Sequence, residues 1–233
     1  MEGRMRSLVL IALGIAVAAV PGCAAQPATT PPPADSTPAA SREATAAPTQ
    51  RVVRRPVTAS GLPAAGYSIT SDTSVTIDCG SPSTARSSPV AVDDDILACS
   101  PSSAYAVACW KDPAPGTALC YRDPWGTALV RMTNNGNFPA APAPATPRPF
   151  GLVLRDGDRC LIRSGGVWND LAGHPGWYGT YSCAVNGAVW TSDADGIDRS
   201  VPRWTVQVAR ISGSGRLSSL GVDAAYYVGT LSE

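Results

Sequence analysis

The sequence predicts an all-β fold, a disulfide-stapled antiparallel sandwich or small partly open barrel, undivided or in two lobes. Three observations predict it. The residues that fill exposed helix faces are scarce: Lys111 is the single lysine, and Glu233 is the single glutamate after Glu43. Asp, Gly, Pro, Ser and Thr, the residues of turns, take their place. Six cysteines, Cys79, Cys99, Cys109, Cys120, Cys160 and Cys183, remain once Cys23 is set aside. That even number suits three bridges in an oxidising compartment.

The strands follow in order. "ACWKDP" recurs as "LCYRDP", and "GTAL" occurs twice between Ala104 and Met132. Each unit is a short apolar run closed by Asp-Pro and reopened after Gly, which predicts a meander over 104–111, 116–122 and 127–132. Asp123 to Gly126 carries the residues of a type I turn. With Asp112 facing Thr117, Cys109 lands opposite Cys120, within bridging distance. "FGLVLRDGDRCLIR" predicts a hairpin with Asp156-Gly157 as a two-residue turn. "YSCAVNGAVW" predicts another on Asn186-Gly187, with Cys183 opposite Trp190. A Cys160–Cys183 bridge then clamps the loop between these hairpins, and Cys79–Cys99 remains by elimination. "RWTVQVARI" alternates as a strand, and "VDAAYYVGT" supplies a last one. Trp110, Trp190 and Trp204 sit in strand patterns and are expected in the core. "PAAPAPATPRP", 139–149, admits no strand or helix interior and connects the halves.

The N-terminal part reads differently. Arg4 and Arg6 precede an apolar run from Leu8 to Val20. The run has the length of an export signal, too short for a spanning helix. Val20-Pro21-Gly22-Cys23 resembles the lipobox of bacterial lipoproteins, with Pro21 where the commonest pattern has a small or β-branched residue. In that family the signal is cut before the cysteine, whose thiol takes a diacylglycerol and whose new amine is acylated. Two or more acyl chains hold a membrane stably. Residues 23–60, rich in Ala, Pro and Thr, are expected to be a disordered tether. With the Ala/Arg/Pro/Gly bias, lipobox and tether resemble the lipoproteins of mycobacteria and related actinobacteria whose function is unassigned. The resemblance covers residues 1–60. It implies anchoring at the outer face of the cytoplasmic membrane and no particular reaction. The expected organisation is a signal over 1–22, lipidated Cys23 and tether over 23–60, a β lobe over 61–138, the connection 139–149, and a β lobe over 150–233.

From Ser60 onward about 15 acidic residues face about 12 basic ones, which argues against a nucleic-acid partner. His174 is the single histidine, no G-x-S-x-G elbow exists, and no C-x2-C spacing suggests a metal, so neither an enzyme nor a cofactor is expected. Paired carboxylates for glycoside hydrolysis would have to come from Asp93-Asp94-Asp95 or Asp156/Asp158, both read as solvated loops. Asp193, Asp195 and Asp198 around Gly196 form a fragment of a calcium loop without its closing Glu.

The strongest surface candidate is the loop 164–181, which carries Trp168, His174, Trp177 and Tyr178 among glycines. Flat aromatic faces anchor interfaces and stack on sugars. The leading expectation is a non-enzymatic binding module at the cell envelope, its partner a cell-wall polymer or another envelope protein. A structural or assembly lipoprotein comes second, and a wall-polymer hydrolase third.

Overall fold

The computed structural model describes residues 47–80, 86–166, 168–212 and 215–232. The expected signal 1–22, Cys23 and the tether up to residue 46 lie outside them. In chain order the strands are β1 (Gln50–Thr58), β2 (Ser68–Ile77), β3 (Arg86–Ser87), β4 (Leu97–Ala98), β5 (Ala108–Lys111), β6 (Thr117–Tyr121), β7 (Ala128–Asn134), β8 (Gly151–Leu154), β9 (Arg159–Ile162), β10 (Trp168–Leu171), β11 (His174–Cys183), β12 (Ala188–Thr191), β13 (Ile197–Asp198), β14 (Thr205–Ala209) and β15 (Ser218–Leu231). No α-helix occurs among the described residues, so the fold is all-β as composition predicts.

Six strands close on themselves in the order β15-β8-β9-β11-β12-β14 and back to β15. Closure removes the open edges that would invite aggregation. The length of β15 makes it possible. Its residues Ser218–Gly221 pair with β14, and Val222–Tyr226 pair with β8. From Ala224 onward it pairs in parallel with β1. Thr49 marks the handover from β14 to β1: its hydroxyl donates to Val222 O at 2.6 Å and accepts Trp204 N–H at 2.8 Å.

β1 corrects the expected tether, because residues 50–58 are a strand and not part of a disordered stretch. The Ala/Pro/Thr composition masks a segment, "RVVRRPVT", with enough apolar surface to order it. Val57 is fully buried. Arg51 and Arg54 lie over the Tyr227 and Tyr226 rings at 4.9 and 5.3 Å. Arg55 is bound to Asp93 and to Thr230 O.

The second sheet runs β2-β7-β6-β5-β4-β3, with β2 and β7 parallel. A bridge between Asp78 and Ser100 ties the end of β2 back toward β4. Both faces of its middle strands, β5 and β6, are largely buried. Cys109, Ala118, Cys120 and Met132 enter one cluster with Ile77 and Leu97. The alternate residues Ala108, Trp110, Leu119, Tyr121 and Leu129 enter the main core with Phe150, Leu152 and Tyr181 of the barrel. The segments expected as two lobes thus share one core, and residues 44–233 form one compact unit.

The three bridges are Cys79–Cys99, Cys109–Cys120 and Cys160–Cys183, closing intervals of 20, 11 and 23 residues. Each constrains the unfolded chain by about 2–4 kcal/mol. Cys109 and Cys120 are direct cross-strand partners in the expected register, and Cys160 and Cys183 are direct partners between β9 and β11. Asp123 to Gly126 is the expected turn, with Gly126 N–H on Asp123 O at 3.2 Å.

Two expected turns differ. Leu152 pairs with Cys160 and Val153 with Arg159, which leaves a three-residue loop, Arg155 to Gly157. Ser182 pairs with Ala188, so Trp190 lies opposite Gly179 and not Cys183. In both, a single glycine at positive φ, Gly157 at 84° and Gly187 at 85°, closes a longer loop in place of a tight two-residue turn. One side chain holds both loops. Asp158, buried and not solvated as expected, accepts Val185 N–H at 3.1 Å, Asn186 N–H at 2.8 Å and Asn186 Nδ2 at 3.0 Å.

Of the Asp triplet, Asp94 and Asp95 are exposed as expected, but all three carboxylates are engaged. Asp93 binds Arg55 and Thr230 N–H, Asp94 accepts Ala143 N–H, and Asp95 accepts Ala141 N–H. These bonds dock the Pro-rich connection, which forms no strand or helix, onto the head.

Candidate binding site

The expected loop 164–181 is mostly a β-hairpin. β10 turns through Ala172-Gly173, with Gly173 at φ 78°, into β11. The register puts Trp168 and Trp190 on either side of Gly179. Trp190 is buried, and its indole N–H donates to Ala209 O at 3.0 Å. Trp168 and Trp177 are half-buried and pack on the small cluster of Leu171, Ala188, Trp190 and Ala209. This hairpin therefore roofs a third core.

The four candidate residues divide. Trp168 is fixed: its ring centroid is 6.5 Å from that of Trp190, and Arg163 lies over it at 3.5 Å. The Tyr178 hydroxyl is committed to Asp193 O at 2.7 Å. His174 stands 5.2 Å from the Trp177 ring and makes no hydrogen bond among the described residues. No hydrogen bond among the described residues holds a nucleophile against it.

Trp177 reaches an open depression of about 480 Å³, which Trp190, Gln207 and the loop 191–198 also line. The hydroxyl of Thr180, bonded to Asp195 O at 3.1 Å, joins Tyr178 in pinning that loop to β11. Two signals read separately in the sequence, the aromatic hairpin and the Asp/Gly loop, thus form two walls of one cavity.

The ligand atoms of Asp193, Asp195 and Asp198 do not converge as a cation site would need. Asp195 is paired with Arg199, at 3.0 Å from one oxygen, and Asp198 accepts Ser200 N–H at 2.9 Å. Hydrogen bonds from the Ser200 hydroxyl and amide hold the Asp198 carboxyl below the usual range. Among the described residues the one cluster of potential ligands is Asp158, Cys160 and Cys183, and its two sulfurs are joined to each other. Asp193 alone of the three aspartates keeps a carboxylate without a hydrogen bond among the described residues.

Of the other expected core tryptophans, Trp110 is buried and donates to the Thr230 hydroxyl at 2.9 Å. Trp204 is half-exposed beneath Arg199, 4.9 Å from its ring. Sequence reasoning missed Gln207, whose place in an alternating strand carries no sign of a site.

No protein-family model, no curated protein and no solved structure matches the chain. Among the described residues no helix is long and apolar enough to cross a membrane.

Proposed function

We propose that this chain is an extracytoplasmic lipoprotein, held through Cys23 at the outer face of the cytoplasmic membrane. Its β head binds a saccharide chain of the cell-wall polymer without transforming it. The observation that carries the reading is the pairing of Trp177 with the acidic loop across one open depression. An indole offers a flat apolar face to the C–H side of a sugar ring. The Asp193 carboxylate and the Gln207 amide offer acceptors, and the amide also donors, for its hydroxyls. The anchor is supported by the sequence at Val20–Cys23 and by the even number of cysteines left when Cys23 is set apart.

The test is a fluorescence titration of the full-length chain in detergent with soluble glycan fragments of bacterial cell wall. Saturable quenching is expected, with Trp177→Ala weakening affinity about ten-fold and Asp193→Asn about three-fold. Absence of saturable binding, or equal binding by Trp177→Ala, overturns the reading.

A further inference from the structure

We propose that the outer face of β9 and β11 is a second site, which takes a polyanion through Arg159 and Arg163. The sequence already orders this face. In an extended chain residues 159, 161 and 163 point the same way. β11 sets Ser182 beside Leu161, and Arg163 N–H bonds to Thr180 O at 3.0 Å, which continues the ladder. The result is a cavity of about 460 Å³ with a guanidinium toward each end, Leu161 and Ser182 between them, and Tyr105 and Ser164 among its other walls.

Both arginines are held in place without being neutralised. Arg163 lies over the Trp168 ring at 3.5 Å, and Arg159 over the Trp125 ring at 5.5 Å. Stacking orients a guanidinium and leaves its in-plane N–H donors available. Arg163 gives two of these to Gly166 O, at 3.1 and 2.7 Å, and its other amino group makes no hydrogen bond among the described residues. The Arg159 side chain makes no hydrogen bond among the described residues. Arg55, Arg122, Arg131, Arg199 and Arg203 each face an aspartate, but Arg159 and Arg163 face none among the described residues. Among the described residues no hydrogen bond engages the Ser164 or Ser182 hydroxyls either, so both can donate to an anion.

The wall of the cavity is held at a cost. Tyr105 has φ 55°, in the left-handed region that a bulky side chain avoids. Its hydroxyl donates to Ile162 O, which locks the ring against the end of β9. The ligand class follows from spacing. Four extended residues separate the two arginine positions by about 13 Å. One small anion cannot span that interval. A chain with repeated acidic groups can, whether they are uronic carboxylates or phosphodiesters, because a guanidinium binds either through paired N–H donors. Trp168 links this face to the depression, since it lies beneath Arg163 and beside Trp190. The proposal nevertheless stands without the Trp177 reading.

The full-length chain in detergent is titrated with polygalacturonate, with polyphosphate and with neutral dextran. A polyanion is expected to bind and dextran is not, and the tighter of the two polyanions identifies carboxylate or phosphate as the source. Arg159→Gln with Arg163→Gln should weaken binding about ten-fold, while the double lysine variant stays within about three-fold. Ser182→Asp adds a carboxylate at an exposed position between the two cations. It should weaken binding to a similar extent without altering the near-ultraviolet circular dichroism. Trp177→Ala should bind as the parent does. Failure of both polyanions to bind below millimolar concentration, equal binding of dextran, or parental affinity in Ser182→Asp overturns the proposal.

Discussion

Gly179 lies between Trp168 and Trp190 in the sheet and makes room for Trp168: a Cβ built on it would stand 2.7 Å from Cε3 of that ring. Its φ lies outside the left-handed region, so space and not backbone freedom requires glycine here. The roof over the third core, and with it the position of Trp177, depends on this missing methyl group.

Gly179→Ala should therefore push Trp168 off its seat. A loss of about 1–3 kcal/mol is expected, as for other overpacked sites. Tryptophan emission should shift to the red as Trp168 gains solvent. Thermal unfolding followed by fluorescence checks both, and an unchanged melting temperature with unchanged emission contradicts the packing described.

Asp158 joins two loops that are remote in sequence, and its carboxylate accepts from Arg159 N–H at 2.8 Å as well as from Val185 and Asn186. Asp158→Ala leaves several partly buried donors without an acceptor. The expected cost is about 2–4 kcal/mol, read as a lower urea midpoint with the disulfides intact. A midpoint unchanged within error would mean that the two loops are held independently.

Acid should destabilise the head below about pH 4. Asp112 is buried, and burial acts to raise its carboxyl. The hydrogen bonds from Arg131 and from Ala114 N–H outweigh this and hold it below the usual range. Asp72 and Asp156 are also held low, chiefly by Ser74 and by Asn186 respectively. A carboxyl depressed in the folded state adds stability that is complete above its unfolded value. That stability is lost as pH falls from there through the folded value. Melting temperature should be nearly flat between pH 7 and about pH 5 as regards these groups and fall below about pH 4. Asp112→Asn should melt lower at pH 7 and show a shallower fall in acid. A parent curve that rises below pH 4 contradicts the assignment.

Much of this was legible in the sequence, and the exceptions have physical causes. Composition gave the fold class because helix surfaces and sheet turns draw on different residues. The Cys109/Cys120 register was legible because short turns with Asp-Pro and Gly fix the pairing locally. The registers at Gly157 and Gly187 were not, because Asp158 stabilises longer loops through contacts 27 and 28 residues away. β1 was hidden for the same reason: its partner, β15, lies more than 170 residues further on. Trp177 and the 191–198 loop were each visible, but only the β11–β12 pairing brings them to one cavity. Arg159 and Arg163 were legible as one face of a strand, and what distinguishes them, a tryptophan beneath each and no aspartate opposite, is tertiary.

The most direct test of the account as a whole is the intact mass of the mature chain recovered from membranes of the producing cell, with and without reduction. The account predicts a chain that starts at Cys23, carries a diacylglycerol on that thiol, and gains six hydrogens on reduction as Cys79–Cys99, Cys109–Cys120 and Cys160–Cys183 open. An unmodified Cys23, or a head whose mass does not change on reduction, would contradict it.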